Sequence, residues 1–265
     1  MIYEYTCGQE LLDGNKELLG ANKYQAVFFY WDAPLLKETD KINYAMKCTQ
    51  GDRELLVLKV EPFNLMLLGA VECAAEVIGY IMKNGYDIRN YLCGCDVGNE
   101  IARIMEAEYG ISYVEALPMD FMEAYECTQP SDSAVVPAEP EEIDQVVECM
   151  ERFVKDCRLE TKVDRDRTLA SIGEYRVLRI DGRIASIAKA VPESDGATKV
   201  TDVYTREEYR GRGYARRVVG TTTNEILAAG KIATLNVDRS NPITNHLYRT
   251  LGYKPIFSQG EYRRK

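Results

Sequence analysis

Arg210-Gly211-Arg212-Gly213-Tyr214-Ala215 is the stretch on which the reading of this chain turns. It follows a β-like run, Lys199 to Thr205, and opens a run of helical character, Tyr214 to Ala229. Two glycines let backbone amides come close to a ligand. A helix N-terminus adds unpaired N–H groups and partial positive charge. Arg206, Arg210, Arg212, Arg216 and Arg217 lie nearby in sequence. The combination predicts a pocket for phosphate, and so a small cofactor that carries pyrophosphate.

The common phosphate motifs do not fit. No glycine starts the spacing of a P-loop. Gly211 and Gly213 supply half of a dinucleotide fingerprint, but Arg216 stands where its third glycine belongs, and Lys231 and Ile232 occupy the region expected to hold an acidic residue. The pattern R/Q-x-x-G-x-G/A does fit, with Arg210, Gly213 and Ala215 in its defining places. This resembles the pyrophosphate loop of the GNAT acetyltransferase superfamily, which binds acetyl-CoA. Downstream, Gly230 suits a helix C-cap, Ile232 to Val237 reads as a buried strand, and Asn241 to Tyr253 follows. GNAT proteins carry N-x-x-A-x-x-x-Y-x-x-x-G-F here; Asn241, Tyr248 and Gly252 match in register, while Thr244 replaces the alanine and Tyr253 the phenylalanine. Two motifs in the right order are more specific than either alone.

At 265 residues the chain has room for two domains, and 46% hydrophobic residues suffice for a core. A net charge of −9 argues against nucleic acid or an anionic membrane as partner. No N-terminal apolar segment reads as a signal peptide. The most apolar stretch, Phe63 to Met82, contains Glu72, Glu76 and two glycines and does not read as a membrane span. The eight cysteines are expected to be reduced thiols of a cytoplasmic protein. Cys93-Gly94-Cys95 is the one close pair. It lacks further ligands at metal-site spacing, since the single histidine, His246, is remote, and no metal is expected.

Thr128 to Ser133 reads as a linker. It divides an α/β domain over 1–127 from a domain over 134–265. In the first, strands are expected at Ala26–Trp31, Glu54–Val60, Leu65–Leu68 and Tyr113–Ala116, with helices at Val71–Lys83 and Glu100–Glu108. In the second, a short strand at Ala134–Val136 precedes an amphipathic helix over Glu141–Cys157. Strands Tyr175–Ile180 and Arg183–Ala188 flank the hairpin signal Asp181-Gly182, and a terminal strand starts at Lys254. This element order is similar to that of GNAT proteins. The fold class expected is therefore α/β with a mixed sheet, a GNAT-like acyl-CoA N-acyltransferase fold preceded by a second α/β domain. Some two-domain GNAT proteins carry a degenerate GNAT-like first domain. The N-terminal half has a compatible mixture of elements but no R-x-x-G-x-G/A loop; such a degenerate copy and an unrelated α/β domain both remain open.

The resemblance also implies a site. Acetyl-CoA, as cosubstrate, would lie between strands Lys199–Thr205 and Ile232–Val237, its amides pairing with backbone at Val203, Tyr204 and Thr205. Its pyrophosphate would meet Arg210, Gly211, Arg212, Gly213, Tyr214, Ala215 and Arg216, with Asn241 and Tyr248 completing the cofactor contacts. The Thr205 N–H would polarise the thioester carbonyl as an oxyanion hole does. Tyr248 would protonate the departing CoA thiolate as general acid. Some members use a glutamate on the fifth strand as base; here Asn236 holds that place, leaving Asp202, Glu207, Glu208 or a water chain. His246, two residues before Tyr248 on the same helix, should face away and be solvated. The acceptor would bind through variable segments, Phe153 to Leu169 and the region of Glu261-Tyr262. The acidity of Asp156, Glu160, Asp164 and Asp166 suits a cationic amine and equally a solvated loop. The expected activity is N-acetylation of a primary amine on a small molecule or peptide. The alternatives are a non-catalytic acyl-CoA-binding protein and an N-acyltransferase for a longer acyl group.

Overall fold

The computed structural model describes residues 1–157, 161–193 and 196–265, and most of its elements follow the hydrophobic periods of the chain. In order they are β1 (Ile2–Tyr5), α1 (Gly8–Gly14), α2 (Lys16–Ala21), α3 (Val27–Asp32), β2 (Tyr44–Gln50), β3 (Arg53–Lys59), β4 (Leu65–Gly69), α4 (Ala74–Asn84), β5 (Asn90–Gly94), α5 (Cys95–Tyr109) and β6 (Tyr113–Ala124). Then come β7 (Val135–Pro137), α6 (Ile143–Asp156), α7 (Arg165–Ala170), β8 (Tyr175–Ile180), β9 (Arg183–Pro192), β10 (Ala197–Thr205), α8 (Tyr214–Ala228), β11 (Ile232–Asp238), α9 (Pro242–Leu251) and β12 (Lys254–Arg264).

The chain divides into two units. Met1–Met119 with Phe257–Lys265 make the first, and Asp120–Ile256 the second. Strand order in the first is β1-β2-β3-β4-β5-β12, and in the second β7-β8-β9-β10-β11-β6. The two orders correspond position by position. In each unit one parallel pair, β4/β5 or β10/β11, is joined through a helix, α4 or α8. The first unit thus has the strand order of the second. It differs at the decisive place: residues 206–213 separate β10 from α8, whereas only 70–73 separate β4 from α4.

Several expectations need correction. Ala26–Trp31 is not a strand; Ala26 is the N-cap of α3 and Val27–Trp31 lie in it. Its apolar run satisfies a helical period, because Ala26, Phe29 and Ala33 are buried while Tyr30 and Trp31 are exposed. Residues 128–133 do not hang free. Asn224 donates to the Gln129 carbonyl at 2.8 Å, Thr128 Oγ1 to the Thr250 carbonyl at 2.5 Å, and Asp132 N–H to Thr221 Oγ1 at 2.9 Å. Polar residues look like a linker in sequence, yet here they pair with polar groups of α8 and α9. The last strand also leaves the 134–265 grouping: Gln259–Arg263 pair antiparallel with β5 in the first unit, and β6 flanks β11 in the second.

The second unit follows its sequence signals closely. Ile143, Val146, Cys149 and Met150 form the buried stripe of α6. Asp181 and Gly182, at φ 50° and 76°, make the tight hairpin between β8 and β9. Gly230, at φ 71°, ends α8. Val218, Val219 and Ile226 of α8 pack with Leu235 and Val237 of β11 and Tyr248 and Leu251 of α9. Burying each such aliphatic side chain contributes about 1.5–3 kcal/mol.

Candidate active site

The site begins where a parallel ladder ends. Strands β10 and β11 pair at Ala197↔Ile232, Thr198↔Ala233 and Lys199↔Thr234. Beyond Lys199 no β10/β11 pairing is present among the described residues, although β10 continues to Thr205 and β11 to Asp238. The strands therefore splay and leave backbone groups open to an added extended chain. On its other side β10 stays paired with β9, with an irregularity between Thr201 and Tyr204. Asp202 lies in that bulge at φ 54°, a left-handed conformation that aspartate tolerates better than most residues.

The register decides where the Thr205 N–H points. Arg206 N–H donates to the Ala185 carbonyl at 3.0 Å, which makes 206/185 a hydrogen-bonded pair. The adjacent pair, Thr205↔Ser186, is then of the non-hydrogen-bonded kind. Its N–H is directed away from β9, toward the side of β11. The Thr205 hydroxyl is occupied with Ser186 Oγ at 2.8 Å, and its carbonyl accepts from Arg210 Nε at 3.0 Å. Val203 packs at the margin of the α8/α9 core, while Tyr204 is buried against α6.

The glycine-rich loop takes the predicted form. Gly211 and Gly213 have φ of 74° and 77°, and nothing stands within 4 Å of a Cβ built on either. The glycines are required for their dihedrals, and the space above them is open. Gly213 caps α8, and the first intrahelical bond runs from Arg217 N–H to the Gly213 carbonyl. The N–H groups of Tyr214, Ala215 and Arg216 therefore have no intrahelical acceptor.

The arginines divide differently from their spacing in sequence. Arg206 is fully buried, its Nε donating to the Ile184 carbonyl at 2.7 Å and its guanidinium ion-paired with Glu148 at 2.7 Å. Arg210 bridges Asp156 at 2.6 Å and the Thr205 carbonyl, and lies over the Tyr204 ring. Arg216 reaches Gln129 and Thr250, each at 2.9 Å, and Arg217 pairs with Asp132. Arg212 is exposed on the loop, and its one contact among the described residues is with the Tyr209 ring. Protein partners hold Arg206, Arg210, Arg216 and Arg217, a role that local sequence could not reveal.

Tyr248 is 7% exposed, on the face of α9 turned to the sheet, with the Tyr253 ring edge-on at 6.1 Å. Burial raises its phenol well above the ordinary tyrosine value, with the nearby Cys157 thiol adding to the effect. Asn241 caps α9, its Oδ1 accepting from the N–H groups of Ile243 at 3.1 Å and Thr244 at 3.3 Å. His246 is exposed on α9, and Asn236 is exposed on β11.

The acceptor segments fare unequally. Tyr262 is a core residue of the first unit, stacked on Tyr91 at 4.9 Å. Its aromatic bulk, read as part of a binding region, is used in packing. Asp164 caps α7, and Asp156 is paired with Arg210. Glu160 lies outside the described residues. Tyr175, by contrast, had no signal beyond an aromatic in a strand, yet its hydroxyl donates to Asp202 at 3.2 Å.

A mixed sheet with a splayed parallel pair and a glycine-rich loop at a helix N-terminus is the architecture of the acyl-CoA N-acyltransferase class of fold. The family model described as FR47-like protein matches residues 180–263, which contain the loop, β11 and α9. The GNAT-family acetyltransferase of Colwellia psychrerythraea aligns over 100% of this chain and 99% of its own, at 10% identity and a TM-score of 0.62. A GCN5-related N-acetyltransferase from Sphaerobacter thermophilus aligns over 100% and 95%, at 14% identity and a TM-score of 0.53. A Drosophila protein aligns over 99% and 97%, at 10% identity and a TM-score of 0.57. No curated protein matches the sequence. The chain thus shares the fold of GNAT acetyltransferases, and its residues 180–263 match the FR47-like family model.

Proposed function

We propose that the second unit transfers an acetyl group from acetyl-CoA to a primary amine of a small molecule or peptide, by direct attack in a ternary complex. The observation that carries this reading is the opening between β10 and β11, with the Thr205 N–H on its side of β10. Amides of the pantetheine arm would pair with the freed backbone at Val203 and Thr205, whereas the expected contact at Tyr204 is lost because its backbone groups are turned to β9. The pyrophosphate would sit on the N–H groups of residues 211–216, with Arg212 as the side chain at liberty to reach it. Arg210 and Arg216 would act by holding the loop and helix in place. Asn241 would place α9, and with it Tyr248, at the thioester.

In this scheme the amine attacks the thioester carbon, whose oxygen is stabilised by the Thr205 N–H. The carbon–sulfur bond breaks, and Tyr248 protonates the thiolate. The phenol is protonated across the physiological range, as the role requires, although burial makes it a weaker acid than an ordinary tyrosine. Eight free thiols support a reducing, cytoplasmic setting.

The first test is thermal melting with acetyl-CoA, CoA and NADH. A ligand that binds only the folded state raises the melting temperature with concentration. Both CoA species should do so and NADH should not, and Gly213→Glu should abolish the effect. Thiol release from acetyl-CoA over a panel of amines then separates an enzyme from a mere acyl-CoA binder, and longer acyl-CoAs test chain preference. No shift at millimolar CoA would overturn the reading.

A further inference from the structure

Catalysis on an ammonium substrate needs a proton acceptor, and Asn236 cannot be one. The carboxylates near the opening differ in how they are engaged. Glu208 pairs with Arg183 at 3.1 Å, and Glu207 is exposed beyond the end of β10. Asp156 is held by Arg210, and Asp238 accepts from Ser240 N–H at 2.8 Å and Ser240 Oγ at 2.6 Å. Asp202 has no ion pair within bonding distance among the described residues. Its partners are neutral: Tyr175 OH on β8 and Thr201 Oγ1 on its own strand, each at 3.2 Å.

Position singles it out as well. The bulge turns Asp202 out of regular alternation three residues past the last β10/β11 pair, where the strands have parted.

Resting on the acyltransferase reading, we propose that Asp202 is the general base that takes a proton from the acceptor ammonium. The proton passes from R–NH3+ to the carboxylate, and the neutral amine attacks. A second N–H proton is lost as the amide forms and replaces the one that Tyr248 gives to the CoA sulfur. The proton on Asp202 leaves to solvent, so the net products are amide, CoA thiol and one proton. Burial raises Asp202 above the usual carboxylate range, opposed by its hydrogen bonds from Thr201 and Tyr175 and by the charge of Lys189 on β9. That makes it a stronger base at neutral pH.

The test is the pH dependence of kcat/KM for Asp202→Asn, with acetyl-CoA and an amine chosen from polyamines, amino sugars, amino acids and lysine peptides by thiol release. Asparagine also tolerates the left-handed conformation. At neutral pH the variant should lose roughly 100-fold or more in rate while keeping its CoA-induced thermal shift. The deficit should shrink at high pH, where the amine is already neutral. A deficit equal at every pH would mark a structural role and overturn the assignment, as would full activity. Tyr175→Phe provides a second check: without its hydrogen bond the acidic limb of the profile should move to higher pH, and an unmoved limb contradicts the proposal. If wild-type protein binds no CoA and releases no thiol with any amine, the acyltransferase reading falls and the base with it. If wild type turns over and Asp202→Asn matches it throughout, the base assignment alone is lost.

Discussion

Tyr248 and Asn241 show how one motif spreads its work. Tyr248 is buried and raised in pKa, whereas Asn241 spends its side-chain oxygen on the first turn of α9. Tyr248→Phe should therefore lower kcat by about 100-fold and leave the CoA-induced thermal shift intact, which paired kinetics and melting curves would check. Asn241→Ala should cost about 1 kcal/mol of stability through the lost cap, read by urea unfolding. Asp202→Asn should raise the melting temperature at neutral pH. A carboxylate whose folded pKa is raised destabilises the fold as pH climbs from the ordinary value through the folded one, and the amide removes that penalty.

At the scale of elements, the tie between α6 and the end of β10 matters most. Arg206 is fully buried, and Glu148 of α6 is its counterion at 2.7 Å. The Arg206 hydrogen bond is the main cause that lowers Glu148 from its ordinary 4.5 to about 2, against the opposing effect of burial. A depressed carboxylate stabilises the fold above its unfolded pKa and loses that contribution as pH falls toward the folded value. Stability should thus decline between about pH 4.5 and 2 more steeply in wild type than in Glu148→Gln, as acid titration of unfolding would show. Glu148→Ala, which strands the guanidinium, should cost about 3 kcal/mol at neutral pH. In the sequence, Arg206 stands only as one of the arginines near the glycine-rich loop. Its partner lies 58 positions away (206 − 148) on another element, and local spacing carries no trace of that contact.

At the scale of the whole molecule, the chain uses one strand order twice and gives the glycine-rich loop to one copy. The first unit closes with the C-terminal strand. Tyr262 there stacks on Tyr91 and lies over Gly98, where a Cβ would stand 2.1 Å from its ring. Tyr262→Ala should destabilise the first unit by about 3–5 kcal/mol, and limited proteolysis should then cut within residues 1–119 before the second unit is touched. Cleavage unchanged from wild type would contradict this account of the core.

The sequence by itself determined the local features: the loop, the hairpin at Asp181-Gly182, the amphipathic α6, and the spacing from Asn241 to Tyr248. These are legible because glycine dihedrals, turn chemistry and helical period act over a few residues. It also offered a short set of candidate bases, Asp202 among them. Tertiary structure decided the rest. It made Ala26–Trp31 a helix, because an apolar run fits either period and packing chose. It sent residues 257–265 to the first unit, tied most of the arginines to distant carboxylates and carbonyls, and set Asp202 in a bulge beside Tyr175. Each depends on contacts between residues far apart in the chain, where burial and hydrogen-bond satisfaction override local preference.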